Sequence, residues 1–257
     1  MAKPAYREKV TCIKHYSDSL FSFGITRPED FNFCPGQFVM LGIEINNEPL
    51  MRAYSIASSP YSEKLEFYSI KIPNGPLTSE LQHINIDDDI LLSKKPVGNL
   101  TIWDLQPGRR LFLFSTGTGI APFASIIKDP ETYHKYDQII LTHTCRNISD
   151  LIYGFEIVQS TMDDPLCGEM AKGQLMHYTS TTQEDYTNTG RITNLIENEK
   201  LFSDLNIDTL NGESDRVMIC GSMDMVRDLS TILESRDMKH STGKSLEQYV
   251  YERAFVG

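Results

Sequence analysis

Apolar and polar residues alternate with period two through most of the first hundred positions. The segments EKVTCIKHYS (8–17), LFSFGIT (20–26), QFVMLGIEI (37–45), RAYSIAS (52–58), LEFYSIKI (65–72) and DILLSKK (89–95) all read as strands. Pro-Gly at 35–36, Asn-Asn at 46–47 and Pro-Asn-Gly at 73–75 separate them. Many short strands with little helix predict an antiparallel β-barrel. One short helix is expected near LTSEL, capped by Thr78 or Ser79. The pattern changes at DLQPGRR (104–110). Beyond it apolar strands alternate with helical stretches: RLFLFST with 120–128, QIILTHT with 150–160, QLMHYTS with 192–199, and RVMICG with 223–235. That alternation predicts an α/β doubly wound parallel sheet covered by helices. Two domains are expected, 1–104 and 105–257, with no internal repeat between them.

Composition narrows the class. The chain has 257 residues, 40% hydrophobic and 23% charged, as a globular protein does. No apolar run approaches the roughly 20 residues that span a membrane, and MAKPAYREKV has no apolar h-region, so no secretory signal is expected. Five scattered cysteines without C-x-x-C spacing argue against an iron–sulfur cluster and for a reducing, cytoplasmic setting. A net charge of −11 argues against nucleic acid or an anionic membrane as the main partner, while leaving room for a local basic patch.

Within the second half, STGTGIAPF joins the first strand to the first helix. Gly117 and Gly119 permit close backbone approach, and Pro122 suits a first helical turn. A dinucleotide loop and a ligand-free strand–helix turn both fit this pattern alone; the βαβ context favours the loop. The next strand ends in Arg146, where a site for an unphosphorylated ribose usually has an acid, and Asp137 lies at the wrong end. Arg146 is either a contact to a 2′-phosphate, hence NADP, or a solvated surface arginine. Arg191, after Gly190, could supply a second phosphate contact. Cys220, Gly221 and Ser222 end a further strand, at the rim where open α/β sheets bind ligands; Cys220 fits an ordinary buried thiol equally well. In the first half, RAYSIAS sets a permanent cation two residues from an aromatic ring. It is either a half-exposed strand edge or a grip on something flat and anionic.

R-x-Y-S ahead of G-T-G-x-A-P, with SIKIPNGPLTSEL between them and a terminal ERAFVG, resembles the ferredoxin–NADP reductase family, and the tails resemble its bacterial ferredoxin (flavodoxin) branch. The likeness runs nearly end to end. It implies FAD and NADP(H) as cofactors and a ferredoxin or flavodoxin as partner. By that resemblance Arg52 pairs with the FAD pyrophosphate, Tyr54 packs on the isoalloxazine and Ser55 bonds near the hydride-accepting nitrogen. Ala53, Phe67 and the Gly75, Pro76, Leu77 and Thr78 segment complete the FAD contacts. The NADP contacts fall on Thr116, Gly117, Thr118 and Gly119, on Cys145 and Arg146, on Thr182 and Arg191, and on Gly221, Ser222, Met223, Asp224, Met225 and Arg227. Ser55, Tyr54, Cys220 and Ala254 are the residues expected at the reacting ring, with Glu252 as a further candidate. Phe255 is placed against the adenine, and the tail that holds Ala254 and Phe255 is expected to move before nicotinamide stacks.

Two departures from the family pattern stand out. Thr182-Gln183-Glu184-Asp185 replaces T-R-E-P, so Gln183 offers a hydrogen bond without charge, and Met223 replaces a proline. The expected activity is hydride transfer from NADPH to the flavin coupled to single-electron exchange with the carrier. Two rival readings are the NAD(P)H reductase component of an oxygenase and a non-catalytic flavin or nucleotide sensor. A monomer suffices for either half to face the other. Lys71, Lys94, Lys95, Arg109 and Arg110 are candidates for a basic patch that receives an acidic carrier.

Overall fold

The computed structural model describes residues 5–253. Its first half is a six-stranded antiparallel sheet: β1 (Ala5–His15), β2 (Leu20–Thr26), β3 (Phe38–Ile45), β4 (Glu48–Ser55), β5 (Lys64–Ile70) and β6 (Asp89–Ser93), in the order β4-β3-β6-β1-β2-β5. The β3–β4 hairpin turns on Asn46 and Asn47, both at positive φ, 53° and 63°. Asparagine tolerates that region, and the two-residue turn matches the strand twist. After β4 the chain bridges the two open edges. The Ile56 N–H donates to the Gln37 carbonyl at 3.0 Å and the Ala57 N–H to the Glu66 carbonyl on β5 at 2.9 Å. The sheet thus curls around a core that includes Phe21, Phe23, Leu41, Tyr54, Leu65 and Phe67.

One short helix, α1 (Thr78–Leu81), follows β5. Neither expected cap operates. The helix starts after Leu77 with no side-chain cap. The Thr78 hydroxyl instead donates back to the Ile72 carbonyl, and the Ser79 hydroxyl to the Gly75 carbonyl. Four residues are too few for a separately capped helix, so these hydroxyls close the loop on itself.

The second half holds five parallel strands, β7 (Arg110–Thr116), β8 (Gln138–Cys145), β9 (Leu175–Thr181), β10 (Asp215–Gly221) and β11 (Tyr249–Arg253), ordered β11-β10-β7-β8-β9. Alternate residues feed two cores. Leu111, Leu113, Ile139 and Leu141 face one side, against α2 (Ala121–Ile126), α3 (Pro130–Lys135), α4 (Ile152–Met162) and α5 (Gly168–Gln174). Phe112, Phe114, Ile140 and Val217 face the other, against α6 (Ile192–Glu197), α7 (Lys200–Leu205) and α8 (Met223–Glu234). Continuous apolar strands are what a sheet covered on both faces requires. α8 shows the amphipathic rule in detail. Met225, Val226, Leu229, Ile232 and Leu233 are buried at three- and four-residue spacing. Their burial contributes roughly 10 kcal/mol before entropy is counted. The Ser222 hydroxyl caps its first turn by accepting from the Met225 N–H at 3.3 Å.

The halves share one apolar cluster, in which Leu20, Ala57 and Tyr68 of the first meet Phe123, Ile126 and Tyr153 of the second. Tyr68 and Tyr153 stack at 3.9 Å with rings 10° apart, and the Tyr153 hydroxyl donates to Glu66 at 3.2 Å. Lys14 pairs with Glu156 across the same boundary. The elements α3, α5, α7 and β11 have no counterpart in the hydrophobic pattern. The helices are six or seven residues long, shorter than the window in which helical period is visible. β11 is an edge strand, recognisable only once it pairs with β10.

Candidate active site

A cavity of about 500 Å³ opens at the carboxyl ends of the parallel strands. β7 is the switch point: the chain runs from it outward to β8 and β9 on one side and later to β10 and β11 on the other. That crevice is where open α/β sheets bind nucleotides. Thr116, Gly117 and Thr118 line it from the end of β7, Cys145 and Arg146 from β8, Thr182 from β9, and Ser222, Asp224 and Met225 from β10. Arg191 enters at the start of α6, after Gly190 at φ 133°. Each glycine of the loop has its own constraint. Gly117 sits at φ 52° with nothing within 4 Å of a Cβ position, so its open side faces the cavity. A Cβ on Gly119 would lie 2.1 Å from the Cys220 carbonyl oxygen, and one on Gly221 2.2 Å from the Thr116 hydroxyl. Those two let β7 and β10 close up beneath the loop. Arg146 and Arg191 are exposed and have no carboxylate within ion-pair distance among the described residues. Unpaired guanidinium groups beside an open glycine turn are a donor set for an anionic nucleotide.

A narrower cleft lies between the halves. Arg52, Ala53, Tyr54 and Ser55 line it from β4, Gly75, Pro76, Leu77 and Thr78 from the α1 loop, and Glu252 from β11. Thr118 borders both cavities, so the two sites meet at the loop. Arg52 is exposed. Its guanidinium donates to the Met51 carbonyl at 2.9 Å and to no carboxylate among the described residues. The Tyr54 ring is 6% exposed, and its hydroxyl shares a hydrogen bond of 3.1 Å with Ser69 inside the barrel. The cleft therefore offers a free cation, a flat ring fixed at its far end and a glycine turn. A Cβ on Gly75 would meet the Thr78 hydroxyl at 2.4 Å. These groups fit a flavin with its diphosphate. Glu252 is half-buried, and burial pushes its carboxyl up to about 7.

Several expected residues lie elsewhere. Phe67 is wholly buried in the barrel core; Tyr68, one position on, lines the cleft. Neighbouring residues of β5 point to opposite faces, so a shift of one exchanges core for site. Cys220 is 1% exposed, lines neither cavity, and has its thiol pushed well up by burial. Its backbone carbonyl packs beneath Gly119, and on the sheet it pairs with Glu252, which lines the cleft. Met223 is exposed outside the cavity lining, and Arg227 pairs with Asp224 at 3.1 Å and Asp228 at 3.3 Å. Arg109 and Arg110 stand at the amino end of β7, away from the cavity rim. They pair with Asp137 at 2.8 Å and Asp215 at 2.6 Å. Ala254 and Phe255 lie outside the described residues.

Other lining residues escaped the sequence pattern. Thr144 belongs to the same rim as Cys145, and the strand-end rule would have included it. Ser19, Leu20 and Ile70 reach the nucleotide cavity from the first half, and Phe38 and Arg253 reach the cleft. Docking of the halves brings the first three and Arg253 there; Phe38 arrives as the β3 partner of Ser55.

Comparison with known proteins agrees with this division. The family model for the oxidoreductase FAD-binding domain matches residues 9–102, and that for the oxidoreductase NAD-binding domain matches 113–231. The flavodoxin/ferredoxin–NADP reductase of Rhodobacter capsulatus is 47% identical over 251 residues, covering 97% of this chain and 93% of its own. The ferredoxin–NADP reductase of Pseudomonas aeruginosa is 46% identical over 252 residues, 98% of each chain. A ferredoxin NADP+ reductase from Neisseria gonorrhoeae, solved with bound FAD and NADP, superposes with a TM-score of 0.89 at 29% identity, over 99% of this chain and 100% of that one. Near-half identity from end to end, with both domain types in the same order, makes this chain a member of the ferredoxin/flavodoxin–NADP reductase family.

Proposed function

We propose that the protein is an FAD-dependent reductase that moves electrons between NADPH and a ferredoxin or flavodoxin. The observation that carries this is the meeting of two cavities at Thr118, one built for a flavin and one for a phosphorylated dinucleotide. When bound, FAD supplies two-electron exchange with NADPH and one-electron exchange with the carrier. The chain's residues bind and orient. Arg52 holds the flavin diphosphate, Tyr54 walls the ring, and Ser55 stands at the cleft beside it. Thr116, Gly117 and Thr118 receive the nicotinamide nucleotide, while Arg146 and Arg191 hold its 2′-phosphate. Thr182 and Ser222 add hydroxyls along that wall, and Tyr68 closes the flavin cleft toward the second half. Glu252, poised near neutrality, holds a proton at the cleft.

The boundary between the functional units falls at residues 104 and 105, just ahead of the linker whose 106 and 107 carbonyls are gripped by the buried Arg216. We place the enzyme in the cytoplasm as a monomer. All five cysteines are free thiols, and among the described residues no helix is long and apolar enough to cross a membrane. The carrier docks beside the cleft, where exposed Lys94 and Lys95 precede Val97, the bridge partner of Phe38, and Lys71 adjoins Ile72. Its reduction rate falls with rising ionic strength.

Anaerobic titration with NADPH, then NADH, followed by the visible flavin spectrum, tests the reading. Bleaching of a yellow protein by NADPH at low excess is expected. A colourless protein that takes up no added FAD would overturn it.

A further inference from the structure

His143 lies near the carboxyl end of β8 and lines neither cavity. Its ring is wholly buried. Nε2 lies 3.0 Å from the carbonyl oxygen of Gly117 and 3.1 Å from Cys145 Sγ. Nδ1 has no polar partner among the described residues. This assigns the proton of the neutral ring to Nε2, which donates to the Gly117 carbonyl, because a proton on Nδ1 would be buried unpaired. Burial holds the ring neutral, with its pKa down at about 4. The fold makes room for this ring. A Cβ on Gly154, in α4, would lie 2.6 Å from Nδ1 and 3.2 Å from Ile120 Cδ1. Helices otherwise disfavour glycine, and packing against His143 explains its presence in the first turn of α4. Two glycines therefore flank one histidine, Gly154 behind it where a Cβ would clash and Gly117 in front at positive φ.

We propose that His143 is the positioning residue of the nucleotide loop. By holding the Gly117 carbonyl inward it fixes the left-handed turn whose open face receives the dinucleotide's diphosphate, and it sets affinity for that group without touching it. The identity of the ligand rests on the reductase reading above; the hydrogen-bonded device is independent of it. Cys145, which lines the cavity and shares Nε2, also approaches the Asp150 carbonyl at 3.5 Å, so the anchor runs from the cavity wall to the loop.

The test compares the FAD-loaded parent with His143→Phe, His143→Asn and His143→Gln. Phenylalanine keeps the ring without a donor. Asparagine keeps a polar group that is too short for the carbonyl, and covers the case in which the phenylalanine variant fails to fold. Glutamine restores a donor near Nε2. Two ligands are titrated, NADP+ and adenosine 2′-phosphate, which lacks the diphosphate. NADP+ affinity is expected to fall about five- to tenfold in the first two variants, the loss of one neutral hydrogen bond. It should return to within about twofold in His143→Gln. Adenosine 2′-phosphate affinity, FAD content and the rate at saturating NADPH should stay within about twofold throughout, by the same reasoning. Unchanged NADP+ affinity in His143→Phe and His143→Asn overturns the proposal. So does a parallel loss of both ligands and of FAD, which marks a general packing role. A parent that binds no NADP+ overturns the reductase reading together with the loop's assigned ligand.

Discussion

The flavin cleft and the nucleotide cavity are built on opposite principles. In the parallel half, backbone does the placing. Loops leave the strands at one rim, and glycines bring main chain to the ligand, so the site follows from topology. In the barrel half, side chains do the placing. Arg52, Tyr54 and Ser55 occupy a single strand, and which neighbour faces the cleft depends on strand alternation and on what covers the outer face. Phe67 and Tyr68 show the difference. Both are aromatic, adjacent and buried, yet one belongs to the barrel core and the other to the shared core with α4. A site that rests on topology tolerates small errors of register; one that rests on alternation does not.

The largest effect should come from the side-chain site. Arg52→Ala removes an unpaired, always-charged donor. FAD affinity is expected to fall roughly 100-fold, in line with losing charge-assisted hydrogen bonds, with Arg52→Lys in between. Flavin content after gel filtration reads it. Flavin content equal to the parent would mean that backbone places the ligand here too.

Glu252→Gln comes next. A carboxyl raised from its ordinary 4.5 to about 7 by burial keeps a proton in the folded chain that the unfolded chain has lost. Stability therefore falls as pH rises through that window, and above it the full cost of the buried charge is present. The glutamine variant should exceed the parent at pH 8 by up to about 3 kcal/mol and match it near pH 4, as denaturant unfolding at both pH values will show.

Gln183→Arg probes the nucleotide cavity. The Gln183 N–H donates to the Arg146 carbonyl at 3.0 Å, so a guanidinium here emerges beside Arg146. The NADPH-over-NADH ratio of kcat/KM should rise roughly tenfold; an unchanged ratio would leave 2′-phosphate selection to Arg146 and Arg191 alone. Tyr54→Phe should have the smallest effect. Losing the bond to Ser69 costs about 1 kcal/mol, a Tm decrease of about 2–4 °C. A larger loss would show that the hydroxyl orders the cleft as well as the barrel.

Part of the fold and of the site is legible in the sequence. Strand alternation marked the barrel, and the β2 limits follow the LFSFGIT pattern residue for residue. The glycine loop, Arg146, Arg191 and the R-x-Y-S strand could be named because each is defined by its neighbours in the chain. The misplacements share one cause. Arg109 and Arg110 are basic and near the domain junction in sequence, but a strand separates them from the rim, and carboxylates already neutralise them. Cys220 lies at a strand end, but its thiol is buried by neighbours that the chain keeps distant. His143 has no local signature, since nothing in LTHTC reveals a carbonyl arriving from 26 residues away.

Local chain chemistry thus determined the elements, the sheet types and the family motifs, because periodicity and turn residues act over a few positions. Tertiary structure alone decided which face of β5 meets the second half, which arginines remain unpaired and which histidine reaches the loop. Those outcomes depend on burial and on distances between residues that the chain keeps far apart.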